Sequence, residues 1–208
     1  MLDLKGANIV ILANHAPSVL TPEWIKDKKI LTEEPKQSFI NPTFSLFESE
    51  HFVFTVEPVR LQLSAKAPSE GKYLKCISDA LVLYVENFKG LPYKAVGLNF
   101  IWEYIHEKVN NYEIKTQIQY LENETELIDI FEGSSKRLGS IVYVENSPYR
   151  LRMIIEPTNI NSFKLDFNYH YDTSSVDIES IKNYLREFEE KANDSKSIAN
   201  KIFGEHDE

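Results

Sequence analysis

His51 to Phe88 reads HFVFTVEPVRLQLSAKAPSEGKYLKCISDALVLYVENF. Phe52, Phe54 and Val56 fall on one side of an extended chain and Val53, Thr55 and Glu57 on the other, the period of a strand with one buried face. Pro58 has no N–H for a ladder and marks a turn. Leu61, Leu63 and Ala65 then alternate with Arg60, Gln62, Ser64 and Lys66. Leu74, Ile77, Leu81, Tyr84, Val85 and Phe88 follow at helical spacing, with Gly90 and Pro92 as stop and breaker. The stretch predicts two strands and a helix laid across their dry side.

The same outline returns later in the chain. Leu151, Met153, Ile155, Glu156 and Pro157 repeat Phe52, Phe54, Val56, Glu57 and Pro58 at one constant offset. After a three-residue insertion, Phe163, Leu165 and Phe167 match Leu61, Leu63 and Ala65, and Ile178, Ile181, Leu185 and Phe188 match the helical Leu74, Ile77, Leu81 and Tyr84. This predicts an α+β protein, one domain over residues 1–208. Its predominantly antiparallel sheet would be built from two pseudo-repeated strand-strand-helix units, near 43–92 and 140–192, with helices packed on one face.

Around these units, Asn8 to Asn14 reads as a first strand, closed by His15-Ala16-Pro17. Thr21 and Pro22 read as the cap and first residue of a short helix. Phe44 and Leu46 share one side of a further strand. Tyr93 to Tyr104 carries the longest apolar side, Val96, Leu98, Phe100, Trp102 and Tyr104, and is expected at the centre of the sheet. Beyond it come a turn at Asn110-Asn111, a partner strand through Ile114, Ile118 and Tyr120, a short helix from Glu124 to Phe131 and the loop Ser134 to Arg137. Ile141 to Val144 opens the second unit. A helix from Val176, capped by Ser174 or Ser175, is expected to break at Asn193-Asp194 before a last helix, Ser195 to Phe203.

The order of meander, helix and later strands, the strand Ala95-Val96-Gly97-Leu98-Asn99-Phe100-Ile101 and the ending Ala199-Asn200-Lys201-Ile202-Phe203 resemble a sporadically distributed family of uncharacterised bacterial α+β proteins, over about residues 43–203. The family's strand reads Val-Gly-Leu-Arg-Tyr-Ile-Asn, so Asn99 stands where it has arginine and Trp102 where it has asparagine. The resemblance implies no activity; the family's scattered distribution suits a mobile-element or defence-associated accessory role.

Composition narrows the chemistry. With 32 acidic and 23 basic side chains in 208 residues, the net charge is −9, which repels phosphate backbones and anionic membranes. Nucleic acid, for which Lys136 and Arg137 are the candidate contacts, is disfavoured. The single cysteine, Cys76, excludes an intramolecular disulfide and a cysteine-based zinc site; it is expected as a semi-buried structural thiol. No leader or membrane-spanning run is legible, and a cytoplasmic location is expected. His15, His51 and His106 lack metal-ligand spacing and read as turn or surface residues. Phosphate-loop, dinucleotide and hydrolase-elbow motifs are missing, so no cofactor, metal or catalytic residue is assigned.

The strongest polar constellation is Arg150, Arg152, Lys164, Asp166, Asn168 and His170, which project to one side from two adjacent strands. Opposite charges on a solvated sheet face are ordinarily cross-strand pairs. On a curved sheet the same residues become a floor where arginines clamp a carboxylate or phosphate and His170 handles a proton. Arg60, Gln62, Ser64 and Lys66 form the corresponding face of the first unit. Tyr169 and Tyr171 read as candidates for an opening or an interface. The functional expectation is a non-catalytic protein-interaction module, a homo-oligomer or a subunit of a bacterial complex. The alternative is a sensor or enzyme for a small anionic ligand around Arg150, Arg152 and His170.

Overall fold

The computed structural model describes residues 1–105, 139–159 and 162–203. The features expected between Asn110 and Arg137, and His106, lie outside them. Within them nine strands form one antiparallel sheet: β1 (Leu2–Leu12), β2 (Gln37–Asn41), β3 (Phe44–Glu48), β4 (Phe52–Val56), β5 (Arg60–Ala65), β6 (Ala95–Ile105), β7 (Ser140–Asn146), β8 (Tyr149–Asn159) and β9 (Ser162–Asp172). Their order across the sheet is β2-β3-β4-β5-β1-β6-β9-β8-β7. β1 and β6 therefore lie side by side at the middle, joined from Leu2 opposite Tyr104 to Leu12 opposite Ala95.

One face of this sheet is dry. Ile9 and Ile11, Leu61 and Leu63, Leu98 and Phe100, and Leu165 and Phe167 are fully buried there. Helices α2 (Lys72–Asn87), α3 (Ile178–Arg186) and α4 (Phe188–Phe203) cover it, while α1 (Pro22–Asp27) follows a 3-10 turn, Pro17–Val19, after β1. Polar contacts set the helix positions. Ser78 Oγ donates to Leu185 O at 2.9 Å between α2 and α3, and Trp102 Nε1 donates to Ser195 Oγ at 2.8 Å between β6 and α4. Phe188 stacks on Phe100 and Phe203 on Tyr104.

Several details differ from the sequence reading. β1 starts at Leu2 and ends at Leu12, so His15 leaves the sheet and is buried: its Nδ1 lies 2.8 Å from the Tyr84 hydroxyl and its Nε2 3.1 Å from Ile11 O. In β3 Phe44 and Leu46 share one side as expected, and the buried side is that of Ser45 and Phe47. Asp177, not Ser174 or Ser175, caps α3 by accepting from Ser180 N at 2.8 Å. The helix breaks at Glu187; Asn193 and Asp194 stay inside α4, where Asp194 accepts from the Tyr169 hydroxyl. Tertiary bonds there outweigh a poor local helix propensity. Tyr169 and Tyr171 line no opening, since both are fully buried with their hydroxyls on Asp194 and Glu187. Cys76 is exposed.

The ladders also correct the alignment of the two hairpins. Val56 lies opposite Leu61 and Ile155 opposite Leu165. With β4 aligned on β8, the counterparts of Leu61, Leu63 and Ala65 are thus Leu165, Phe167 and Tyr169, two residues beyond those expected. A two-residue slip keeps every side chain on its own face, so hydrophobic alternation cannot detect it.

Burial lowers the pKa of His15 below its ordinary 6.5. As pH falls, the unfolded chain takes up that proton before the folded one does. The stability tied to neutral His15 is therefore complete above about 6.5 and is lost as pH falls through the lowered value. His170, lowered as well, acts with the same sign. Melting temperature recorded from about pH 7.5 to 5 is expected to fall in the native chain and to fall less steeply in His15→Gln.

Candidate functional site

The face opposite the helices carries the polar side of every central strand. Register sets its residues in rows. One row runs Ser64, Asn8, Asn99, Asn168, Arg152 and Tyr143, each opposite the next on β5, β1, β6, β9, β8 and β7. A neighbouring row runs Gln62, Val10, Gly97, His170, Arg150 and Glu145. The row on the other side contains Gly6, Ile101, Asp166 and Ile154.

The three asparagines form a ladder. Asn168 Nδ2 donates to Asn99 Oδ1 at 2.5 Å, and Asn99 Nδ2 donates to Asn8 Oδ1 at 2.9 Å. All the amides thus point the same way across the middle of the sheet. Beside the ladder, Gly97 has no side chain to fill the floor; a Cβ there would sit 3.3 Å from Asn168 Nδ2. The result is a hollow of about 360 Å³, floored by Asn8, Gly97, Asn99 and Asn168 and edged by Arg60 and Gln62 on one side and Arg152, Asp166 and His170 on the other. A second hollow of about 320 Å³ lies over the β7–β8 hairpin against Tyr143, Glu145 and Arg150, and shares Arg152, Asn168 and His170 with the first.

The expected constellation is therefore divided. Arg152, Asn168 and His170 stand where the two hollows meet, Asp166 belongs to the first and Arg150 to the second. Lys164 lines neither, and its ammonium sits 3.5 Å from Glu156. Arg60 donates to Gln62 on its own strand. Lys66 bonds Glu48 and Ser49 O, each at 2.7 Å. The anticipated cross-strand pairing of charges does not occur at Arg152 or Asp166: Arg152 faces Asn168, while Asp166 faces Ile154 and Ile101. Burial and, after it, the Arg150 guanidinium lower the pKa of His170, with Asp172 opposing. At neutral pH the ring is uncharged, one nitrogen a donor and the other an acceptor.

Asn8, Gly97 and Asn99 were not among the expected site residues, although the chain signals them. Gly6-Ala7-Asn8-Ile9-Val10 and Gly97-Leu98-Asn99-Phe100-Ile101 share a Gly-x-Asn-apolar-apolar pattern, and the two asparagines are 91 residues apart. Among the described residues no group of three His, Cys, Asp or Glu is placed to hold a metal ion, and no helix is long and apolar enough to cross a membrane. No protein-family model matches the chain, and no curated protein matches it.

Asn99 is the middle of the ladder, so Asn99→Ala strands Asn8 Oδ1 and Asn168 Nδ2 together. Fully buried polar groups left without partners cost about 1–3 kcal/mol, and half-buried ones, which water reaches, cost less. Denaturant unfolding is expected to show a loss of about 1 kcal/mol for Asn99→Ala, and less for Asn8→Ala, which strands only one partner.

Proposed function

We propose that the open sheet face is a non-catalytic binding site for a small anionic ligand, anchored on Arg152 and His170. The observation that carries this reading is the polar hollow over Gly97 and the asparagine ladder, bordered by an arginine that makes no ion pair or hydrogen bond among the described residues. A guanidinium presents paired donors to a carboxylate or phosphate, and an unpaired one at the rim of a hollow is set to use them.

We further infer that the chain is a doubled unit. Support comes from the ladders. Aligning β4 on β8 and β5 on β9 as above brings β1 onto β6 with Gly6 on Gly97 and Asn8 on Asn99. Asn8 and Asn99 are also direct cross-strand partners, and Gly6 faces Ile101 as Gly97 faces Val10. A pseudo-two-fold axis then passes through the Asn8–Asn99 pair. The positions in the first half that answer to Arg150 and Arg152 are His51 and Val53, so the anion-binding character belongs to the second half. We propose membership in the family the chain resembles, in which the Asn99 position holds arginine, a residue that would put a charge on this same floor.

Thermal shift with inorganic phosphate, pyrophosphate and citrate tests the site. Arg152→Ala is expected to weaken whichever anion binds by roughly 10- to 100-fold, the worth of a charged hydrogen-bonding group. Affinity is expected to rise as pH falls through the lowered pKa of His170, because an anion favours the protonated ring, and His170→Gln is expected to flatten that profile. Arg152→Ala and His170→Gln with unchanged anion binding would misplace the site.

A second reading is self-association through β7, in line with a homo-oligomeric interaction module. β7 is an edge strand of the described sheet without lysine or proline, and Ile141, Val142, Tyr143 and Val144 are 58%, 39%, 73% and 44% exposed. Edge strands are ordinarily protected by such residues. Antiparallel pairing of β7 with β7 of a second copy would bring Val142 and Val144 of both together. Light scattering at micromolar concentration is expected to report a dimer, and Val142→Lys a monomer; a native monomer would end this reading.

A further inference from the structure

Arg152 and Asp166 border the same hollow without meeting. Arg152 lies in the row of Asn168 and Asp166 in the row of Ile154, so they are diagonal neighbours, their Cβ atoms somewhat less than roughly 7–8 Å apart, a span that a long side chain can cross. Neither forms an ion pair or hydrogen bond among the described residues. Several other charges on this face find partners, Lys164 with Glu156, Lys66 with Glu48 and Lys5 with Asp3, whereas Arg150 and Glu145 in the second hollow form no ion pair or hydrogen bond among the described residues either.

Between the two unpaired charges the floor is neutral. The ladder uses the Asn168 amide nitrogen and leaves its Oδ1 outside the ladder, while Gly97 removes the side chain that would fill the space next to it. A simple anion drawn to Arg152 would also feel the unneutralised Asp166 carboxylate close by. A simple cation drawn to Asp166 would feel Arg152. A molecule that carries both charges satisfies both residues at once and matches the potential on each side of the hollow.

Resting on the reading of this face as a small-ligand site, we propose that the hollow takes a small zwitterion of the amino-acid class, its carboxylate on Arg152 and its ammonium on Asp166. Asn168 Oδ1 adds a second acceptor for the ammonium, and His170 supplies a donor to the carboxylate. Asp166 is then the residue that selects an amine-bearing acid over a plain one. The hollow of about 360 Å³ admits a molecule of this size with room beside it.

Matched pairs of probes test this with the full-length chain: L-glutamate against glutarate, L-alanine against propionate, and 4-aminobutyrate and 5-aminopentanoate against butyrate and pentanoate, each by thermal shift and titration calorimetry. At least one amine-bearing member is expected to bind tenfold or more tightly than its partner. Asp166→Asn, which keeps the side chain's shape, is expected to erase that difference while leaving or strengthening the affinity for the plain acid, and Arg152→Gln to weaken both. Equal binding of the two members of every pair, or a preference that survives Asp166→Asn, overturns the zwitterion proposal and leaves the anion site standing. No binding by any probe of either kind, with phosphate, pyrophosphate and citrate also silent, overturns both.

Discussion

The pairing of β1 with β6 is the constraint on which the molecule depends. Every other neighbouring pair in the sheet joins strands of the same half, β2 to β5 with β1 on one side and β7 to β9 with β6 on the other. Only the β1–β6 ladder holds the halves in one surface, and it does so through an antiparallel run the length of both strands. It also brings Ile9 against Leu98 and Ile11 against Val96 under the helices, so the core is continuous across the join. Sheet bonding and hydrophobic burial act at the same seam.

That seam explains why the two faces differ so sharply. Because α2, α3 and α4 all lie on one side, the dry side chains are closed off there, and no described helix covers the opposite side chains of the same strands. A sheet this wide twists, and this side of it carries the two hollows. What they can do is set by register: residues opposite one another across the ladders become neighbours whatever their distance in the chain. Asn8, Asn99 and Asn168 come from three remote segments and form a single hydrogen-bonded line.

This division also governs what could be read in advance. The two-residue alternation of Phe52 to Ala65 and of Leu151 to Phe167 named the buried face correctly, because burying one side of a strand leaves a direct trace in side-chain type. Arg152, Asn168 and His170 were recognisable for the same reason, as polar residues on the complementary side. The pairing between strands leaves no such trace. A shift of two residues changes no face, so alternation alone does not say which residue of β9 stands opposite Ile155 as Leu61 stands opposite Val56, and Arg152 and Asp166 were expected to be ordinary paired charges when the ladder sets them in different rows. The repeated Gly-x-Asn pattern was in plain view, but its meaning depends on Asn8 lying opposite Asn99, which only the folded sheet reveals. Asn193 and Asp194 look like a helix stop for a related reason: local propensity is legible, whereas the Tyr169 hydroxyl that holds Asp194 in α4 belongs to another element.

The position of β1 between β5 and β6 has a consequence for biosynthesis. Synthesis makes β1 before β5, and β6 only after the whole of α2 has been made. During that interval β1 can be satisfied along one margin alone, and the half-built sheet presents a long row of free amides and carbonyls flanked by isoleucine. Any nascent chain of the same kind on a neighbouring ribosome offers the missing strand. The step that completes the seam thus closes a period of exposure to exchange between chains, and slow translation through α2 lengthens that period.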